Sequence, residues 1–350
     1  MKKILVTGGS GFIGSNFIIE QITKGNKILN FDNLTYAANQ DNLLEINKNS
    51  NYHFVRGNIT NFERVSSKIN EFNPNVIINF AAESHVDRSI DDPKEFIDTN
   101  IIGTYNLLRC SLDYYNSLSV ENKINFKFIH VSTDEVYGSL GEKGYFSEDS
   151  PYKPSSPYSA SKASSDHLVN AWYHTFNLPT IITNCSNNYG PYQFPEKLIP
   201  LIIISCLSGK ELPIYGDGTN IRDWLYVKDH CAALDITINY GQSGETYNIG
   251  GNEEKTNLEI VNTICNILDE KIPLKNGLKY SDSIVYVKDR PGHDFRYAIN
   301  SSKIQSKLNW LPKYKFEHAI AKTIDWYIEN QSWWNKILNN QYDLNRLGNK

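Results

Sequence analysis

A short apolar strand pattern, Lys3-Ile4-Leu5-Val6-Thr7, runs directly into Gly8-Gly9-Ser10-Gly11-Phe12-Ile13-Gly14, and that turn opens a segment, Ser15–Thr23, with helical spacing. No other feature limits the fold as much, because a glycine-rich turn held between a strand and a helix commits the chain to begin with a βα unit. The spacing Gly9-x-Gly11-x-x-Gly14 lets bare backbone approach a ligand, and the helix beyond offers N–H groups and a partial positive charge. A pyrophosphate answers to both. Asp32 closes the next strand pattern, Lys27–Asp32, 18 positions after Gly14. A carboxylate there accepts hydrogen bonds from an adenosine ribose and repels a 2′-phosphate. Together the two features predict a dinucleotide site and favour NAD over NADP, although an Asp at a strand end also serves as an ordinary helix cap.

The βα alternation continues. Lys3–Thr7, Lys27–Asp32, His53–Arg56, Val76–Phe80, Phe126–Ser132 and Thr180–Asn184 read as strands, and Ser15–Thr23, Phe62–Ile69, Pro93–Asn116 and Ser159–Phe176 as helices between them. Strands apolar on both faces imply a parallel sheet, so the expected fold is α/β, a doubly wound, Rossmann-like sheet. After about Asn184 the pattern breaks into Pro- and Gly-punctuated pieces with helices near Leu198–Ser208, Val227–Tyr240, Leu258–Leu268 and Phe316–Glu329. This divides the chain into a dinucleotide-binding part, 1–184, and a smaller C-terminal substrate region, 185–350, some segments of which have room to return to the first sheet.

Charge and cysteine usage remove other classes. With 35 basic and 39 acidic residues the net charge is −4, which provides no broad basic face for a nucleic-acid backbone. The five cysteines, Cys110, Cys185, Cys206, Cys231 and Cys265, are widely spaced with no C-x-x-C pair, so no metal site or disulfide framework is expected and a reducing cytoplasm fits. Leu198–Leu207 is broken by Pro200 and too short to span a bilayer, and Ile4-Leu5-Val6 is too short for a secretion signal. A soluble protein acting on neither nucleic acid nor membrane is expected.

In PYSASKASSDH, Tyr158 and Lys162 are four apart on a predicted helix and share a face. A free phenol titrates near pH 10 and is a poor base at neutrality. An ammonium and an oxidised nicotinamide nearby favour the phenolate, which then takes a proton from an alcohol. Before this helix, Thr133-Asp134-Glu135 ends a predicted strand within STDEVYG.

TGGSGFIGS, AAESHVDRS, STDEVYG and Tyr158-x-x-x-Lys162 resemble an extended short-chain dehydrogenase/reductase. NNYGPYQFPEKLIPL, LPIYGDGTNIRDWLYVKDH, YNIGGNEEKTNLE and DRPGHDFRYAIN narrow the resemblance to the dTDP-glucose 4,6-dehydratases, from about Lys3 to beyond Asn300. The resemblance implies an NAD-dependent hydro-lyase acting on a nucleotide sugar: oxidation at C4, loss of water across C5 and C6, and hydride return to C6. It implies that Tyr158 takes the C4 hydroxyl proton, Thr133 holds that oxygen, Glu135 removes the C5 proton and Asp134 protonates the departing C6 hydroxyl. One acid and one base with separated pKa values suit that elimination.

By the same resemblance Gly8, Gly11, Phe12, Ile13, Gly14, Asp32, Asn33, Leu34, Thr35, Asn58 and Ile59 contact NAD. Phe80, Ala81, Ala82, Ser84, Thr99 and Asn188 line it together with Tyr158 and Lys162. Ser84, Thr133, Asn187, Lys197, Leu198, Pro213, Ile214, Tyr215, Arg222, Asn257, Asp289, Arg290 and His293 contact the substrate. Lys197, Arg222, Arg290 and His293 are expected to balance its diphosphate, unless the arginines pair with neighbouring Asp223 and Asp289. Family members carry Gly-Asp-Ile where this chain has Gly57-Asn58-Ile59, and the Asn carbonyl still accepts a hydrogen bond from adenine. The resemblance also implies a homodimer that pairs Pro93–Asn116 with Ser159–Phe176. Three rivals stand beside this reading: the same chemistry on UDP-glucose, which differs by one methyl and one hydroxyl; a 4-epimerase, which does not need the acid pair; and a non-catalytic NAD-binding sensor.

Overall fold

In a computed structural model the described residues are 1–340, 342 and 344; the remainder of the expected C-terminal region lies outside them. Among the described residues twelve strands are present: β1 Lys3–Thr7, β2 Lys27–Asp32, β3 Tyr52–Arg56, β4 Val76–Asn79, β5 Lys127–Thr133, β6 Thr180–Cys185, β7 Asn187–Tyr189, β8 Leu212–Tyr215, β9 Ile221–Tyr226, β10 Thr246–Ile249, β11 Glu254–Thr256 and β12 Ile284–Val287. Seven of them form one parallel sheet in the order β10-β6-β5-β4-β1-β2-β3. The order reverses between β1 and β4, and the carboxyl ends beside that reversal open the crevice in which such sheets bind ligands.

Alternation along each strand explains why the sheet is buried on both sides. Ile4, Val6, Ile28, Ile78 and Ile129 join one apolar core, while Leu5, Leu29, Ile77 and Phe128 join the other. β10 is the four-residue run Thr246–Ile249 ahead of Gly250-Gly251, and it enters the sheet beside β6. Its brevity and distance from the other strands hide it from a pattern search.

The predicted helix Pro93–Asn116 is a short turn at Lys94–Phe96, a π-helical stretch at Ile97–Gly103 and an α-helix at Thr104–Ser117. The wide turn buries Asn100, whose Oδ1 accepts from the Glu83 N–H at 2.9 Å and whose Nδ2 donates to the Ser161 hydroxyl at 2.8 Å. Beyond β6, a three-stranded sheet, β11-β9-β7, and a pair, β12-β8, pack with helices Leu198–Leu207, Asn257–Lys271, Phe316–Glu329 and Gln331–Asn340 around a third core. Asn42 joins this layer to the first, since its Oδ1 accepts from the Trp333 indole at 2.8 Å.

Candidate active site

The glycines of the first turn have separate tasks. A Cβ on Gly14 would lie 2.5 Å from the Gly8 carbonyl oxygen, so that glycine sets how closely the helix Phe12–Thr23 seats on β1. Gly8, at φ 69°, is left-handed and packs against the backbone of Ala81. A Cβ on Gly11 would meet only the Gly8 carbonyl oxygen, at 3.3 Å, and Gly11 lines the cleft. No side chain caps that helix and its first turn holds no acid, so a cradle of bare N–H groups faces the cleft, as a pyrophosphate requires.

The cleft, about 300 Å³, is lined by Gly8, Gly11, Phe12, Ile13, Gly14, Asp32, Asn33, Thr35, Asn58, Ile59, Phe80, Ala81, Ala82, Ser84, Thr99, Thr133, Glu135, Tyr158, Lys162, Asn187, Asn188 and Lys197. Leu34 stands outside the lining; it takes φ 56° while its N–H donates to Asp32 Oδ1 at 2.7 Å. The other Asp32 oxygen accepts from the Ser10 N–H at 2.8 Å, so the carboxylate is aimed by backbone. Asn58 Oδ1 accepts from the Thr60 N–H at 2.9 Å and keeps one lone pair for a ligand. These features fit an adenosine diphosphate half followed by a nicotinamide half.

Ser156 fixes where the next helix starts. Its hydroxyl accepts from the Ser159 N–H at 3.0 Å, the Ser159 hydroxyl accepts from the Ser156 N–H at 3.0 Å, and Pro157 fills the first helical position. This reciprocal cap is worth about 1 kcal/mol and sets Tyr158 in the first turn of Pro157–Phe176, with Lys162 one turn later. Both are buried. Lys162 Nζ donates to the Val131 carbonyl at 2.9 Å, and the Thr133 hydroxyl is a hydrogen-bond partner of the Tyr158 phenol. Burial, and next the Glu135 carboxylate, hold that phenol well above its ordinary value in the protein alone.

β5 ends at Thr133, and Asp134–Tyr137 turn away as a single 3-10 turn. The two acids meet unlike surroundings. Asp134 is buried behind the cleft walls, with Oδ2 unpartnered, and burial followed by the charges of Glu135 and Asp223 pushes its carboxyl well above the usual range. Burial also raises Glu135, but Arg290, Lys197 and Arg222 oppose the rise. The pair is therefore polarised into a protonated Asp134 and a Glu135 facing three cations.

A second cleft of about 210 Å³ continues from the first, sharing Glu135, Asn187, Asn188, Gln193, Glu196 and Lys197 with it. Leu198, Pro213, Ile214, Tyr215, Arg222, Asn257, Arg290 and His293 line it. Arg222 does not pair with Asp223; it donates to the carbonyls of Ile221 at 2.7 Å and Asp294 at 2.9 Å. Arg290 pairs with Asp87 at 2.7 Å while its Nε has no partner. Asp289 lies outside the lining and is held against His293 Nδ1 at 2.7 Å. Burial and then Arg290 lower His293 to about 4, so at neutral pH, in the protein alone, the cationic set is Lys197, Arg222 and Arg290.

Among the lining residues that escaped the reading of the sequence by residue are His85, Asp87 and Glu196. Asp87 holds both Arg290 and, at 3.0 Å, the Tyr215 hydroxyl. Glu196 receives the Tyr36 hydroxyl at 3.0 Å and Arg88 Nε at 2.9 Å. Their signal was local: His85 and Asp87 lie within AAESHVDRS, and Glu196 precedes Lys197. Among the described residues no group of acidic, His or Cys side chains is arranged to hold a metal.

Residues 5–323 match the GDP-mannose 4,6 dehydratase family. The dTDP-glucose 4,6-dehydratase of Xanthomonas campestris pv. campestris (strain B100) is 53% identical over 348 residues, covering 99% of each chain. The crystal structure of dTDP-glucose 4,6-dehydratase from Bacillus anthracis in complex with NAD superposes with a TM-score of 0.85 at 49% identity, over 96% of this chain and 100% of that one. The Streptomyces venezuelae dTDP-glucose 4,6-dehydratase, solved with NAD and dTDP bound, gives 0.88 at 40% identity over 96% and 99%. Coverage from end to end, at these identities and over this sheet, makes the chain a member of the dTDP-glucose 4,6-dehydratases of the extended short-chain dehydrogenase/reductase superfamily.

Proposed function

We propose that the chain converts dTDP-glucose to dTDP-4-dehydro-6-deoxy-glucose as an NAD-dependent hydro-lyase. One observation carries the reading: Glu135 lines both a dinucleotide cleft and a cationic cleft where they meet beside Tyr158, with Asp134, in opposed surroundings, buried directly behind it. Bound in the first cleft, NAD supplies the hydride acceptor for C4 of the sugar, the hydride donor for C6, and a positive ring charge that draws the Tyr158 pKa down.

Tyr158 accepts the C4 hydroxyl proton, with Thr133 holding the same oxygen. The ketone left at C4 acidifies C5, whose proton Glu135 removes. Asp134, kept protonated by burial, gives its proton to the departing C6 hydroxyl, and once hydride has returned to C6, Glu135 gives back to C5 the proton it took. Gly8 to Gly14 with Asp32 hold the adenosine diphosphate half of NAD; Phe80 to Ala82, Ser84, Thr99 and Asn188 line the nicotinamide half. Lys197, Arg222 and Arg290 hold the substrate diphosphate, and Pro213, Ile214 and Tyr215 flank the base.

Two chains pair through Ile97–Gly103, Thr104–Ser117 and Pro157–Phe176. Support comes from Ile97, Ile102 and Phe176, each between 45 and 49% exposed on these neighbouring segments. The five cysteines are free thiols, which supports a reducing cytoplasm; among the described residues no helix is long and apolar enough to cross a membrane. Purified protein assayed side by side on dTDP-glucose and UDP-glucose tests the substrate. The 4-keto-6-deoxy product should form faster from dTDP-glucose, and equal or greater turnover of UDP-glucose would overturn that choice.

A further inference from the structure

Behind the catalytic helix lies a buried polar network that none of the roles above uses. His130, on β5, is fully buried, and its Nδ1 lies 3.2 Å from Nδ2 of Asn79. The Asn79 Oδ1 accepts from the Thr7 hydroxyl at 2.6 Å, so the amide turns its NH2 group to the ring and Nδ1 must accept. The proton of the neutral imidazole therefore sits on Nε2. That nitrogen donates to the Ser165 hydroxyl at 3.2 Å and stands 3.4 Å from both Lys162 Nζ and Asp166 Oδ1, an oxygen that takes no hydrogen bond. Lysine, itself a donor, bonds to the Val131 carbonyl instead.

Asp166 is as buried as His130 and is fixed from its other side. Its Oδ2 accepts from the Ser132 hydroxyl at 2.9 Å and the Tyr152 hydroxyl at 3.0 Å. Tyr158, Lys162 and Asp166 follow at intervals of four along one helix, hence along one face. We propose that Asp166, with His130 between, is the fixed counter-charge of Lys162: a positioning residue that keeps the lysine an ammonium at the Val131 carbonyl and so keeps Tyr158 able to act as a base.

The inference rests on the roles proposed above for Tyr158 and Lys162. Burial lowers the Lys162 pKa, and Asp166 and Cys185 oppose it, so Asp166 is the carboxylate that favours the ammonium. Burial and Lys162 lower His130 to about 4, consistent with a neutral ring between the two charges. The other titratable groups facing this face are Glu135, Asp134 and Cys185 toward Tyr158, and Tyr137 and Tyr152 toward Asp166. Removing the Asp166 charge makes the ammonium less favourable, weakens the positive field at the phenol and raises the pH at which Tyr158 ionises.

The test titrates Tyr158 in NAD-loaded enzyme without substrate, by ultraviolet tyrosinate difference absorbance, with a matched Tyr158→Phe protein subtracted in each background. Its outcome is therefore independent of whether dTDP-glucose is turned over, which is measured separately on the wild type. In Asp166→Asn the Tyr158 midpoint should rise by about one pH unit, and in Tyr152→Phe, which keeps the carboxylate, it should stay in place. An unmoved or lowered midpoint in Asp166→Asn overturns the inference, as does an equal rise in Tyr152→Phe, since packing rather than charge would then set the phenol. If Asp166→Asn does not fold, Asp166→Ser removes the same charge with a smaller polar side chain: a rise supports the inference and an unmoved midpoint overturns it.

Discussion

The first cleft is made of strand ends and bare backbone contributed by short continuous segments, whereas the second is closed by side chains that meet across great distances in the chain. Gly8, Gly11 and Gly14 lie within one turn, and Asp32 is aimed by two N–H groups next to it in space. By contrast Arg290 meets Asp87 across 203 positions, and Tyr215 meets Asp87 across 128. The difference teaches where each cleft is vulnerable. A backbone-built cradle fails when a methyl group is added, while a cleft of paired charges fails when a partner is removed.

Where the two clefts meet, substitutions should act on chemistry rather than on either construction. Tyr158→Phe keeps the ring and loses the proton acceptor. Turnover should fall by about 10³-fold with NAD still bound, measured by product formation and by cofactor retained through gel filtration; near-normal turnover would remove Tyr158 from its role. Asp134→Asn should slow the loss of the C6 hydroxyl by about 10²-fold and let enzyme-bound NADH accumulate after substrate is added. The sign of the pH effect follows from burial: Asp134 stays protonated below its raised pKa, so the wild-type rate falls as pH rises through that value, and the variant lacks this limb. A variant with unaltered NADH signal and dehydration would break the division of labour between the two acids.

The first cleft was legible because each element reads from neighbouring residues. Lys3–Thr7 and Lys27–Asp32 coincide with β1 and β2, and Tyr158 with Lys162 needed only helical spacing. The resemblance supplied the positions in the second cleft but not their partners. Whether Arg222 and Arg290 are paired depends on which carboxylates the fold brings near, and sequence neighbours misled: Asp223 turns to the N–H groups of Gly251 and Glu253, at 3.0 and 2.8 Å. The π-helical stretch at Ile97–Gly103 was hidden for a similar reason, since what makes it worthwhile, Asn100 reaching Glu83 and Ser161, is tertiary.

Two smaller effects sharpen the contrast. Gly14→Ala should cost about 1–3 kcal/mol of stability by forcing the helix off the Gly8 carbonyl, whereas Gly11→Ala should cost less than about 1 kcal/mol and act on NAD affinity. Denaturant unfolding of both, with NAD titrations, checks the pair; equal losses of stability would mean that the cradle has no ligand-facing glycine. Asp87→Asn releases Arg290 from its counter-charge while keeping an acceptor for Tyr215. The KM for dTDP-glucose should rise about tenfold, about 1.4 kcal/mol, with kcat little changed, and a fall confined to kcat would move Asp87 from the binding cleft to the chemistry.

The joining of the two clefts into one reaction is the central claim, and hydride transfer tests it most directly. dTDP-glucose carrying deuterium at C4, mixed with substrate labelled with carbon-13 at C6, is converted by the purified protein and the products are read by mass spectrometry. The account predicts deuterium at C6 of the 4-keto-6-deoxy product in the molecule that began with it, with no external NAD consumed. Deuterium crossing substantially into the carbon-13 population, returning to C4 without loss of water, or leaving in released NADH would contradict a closed cycle in which one site oxidises, dehydrates and reduces the same sugar.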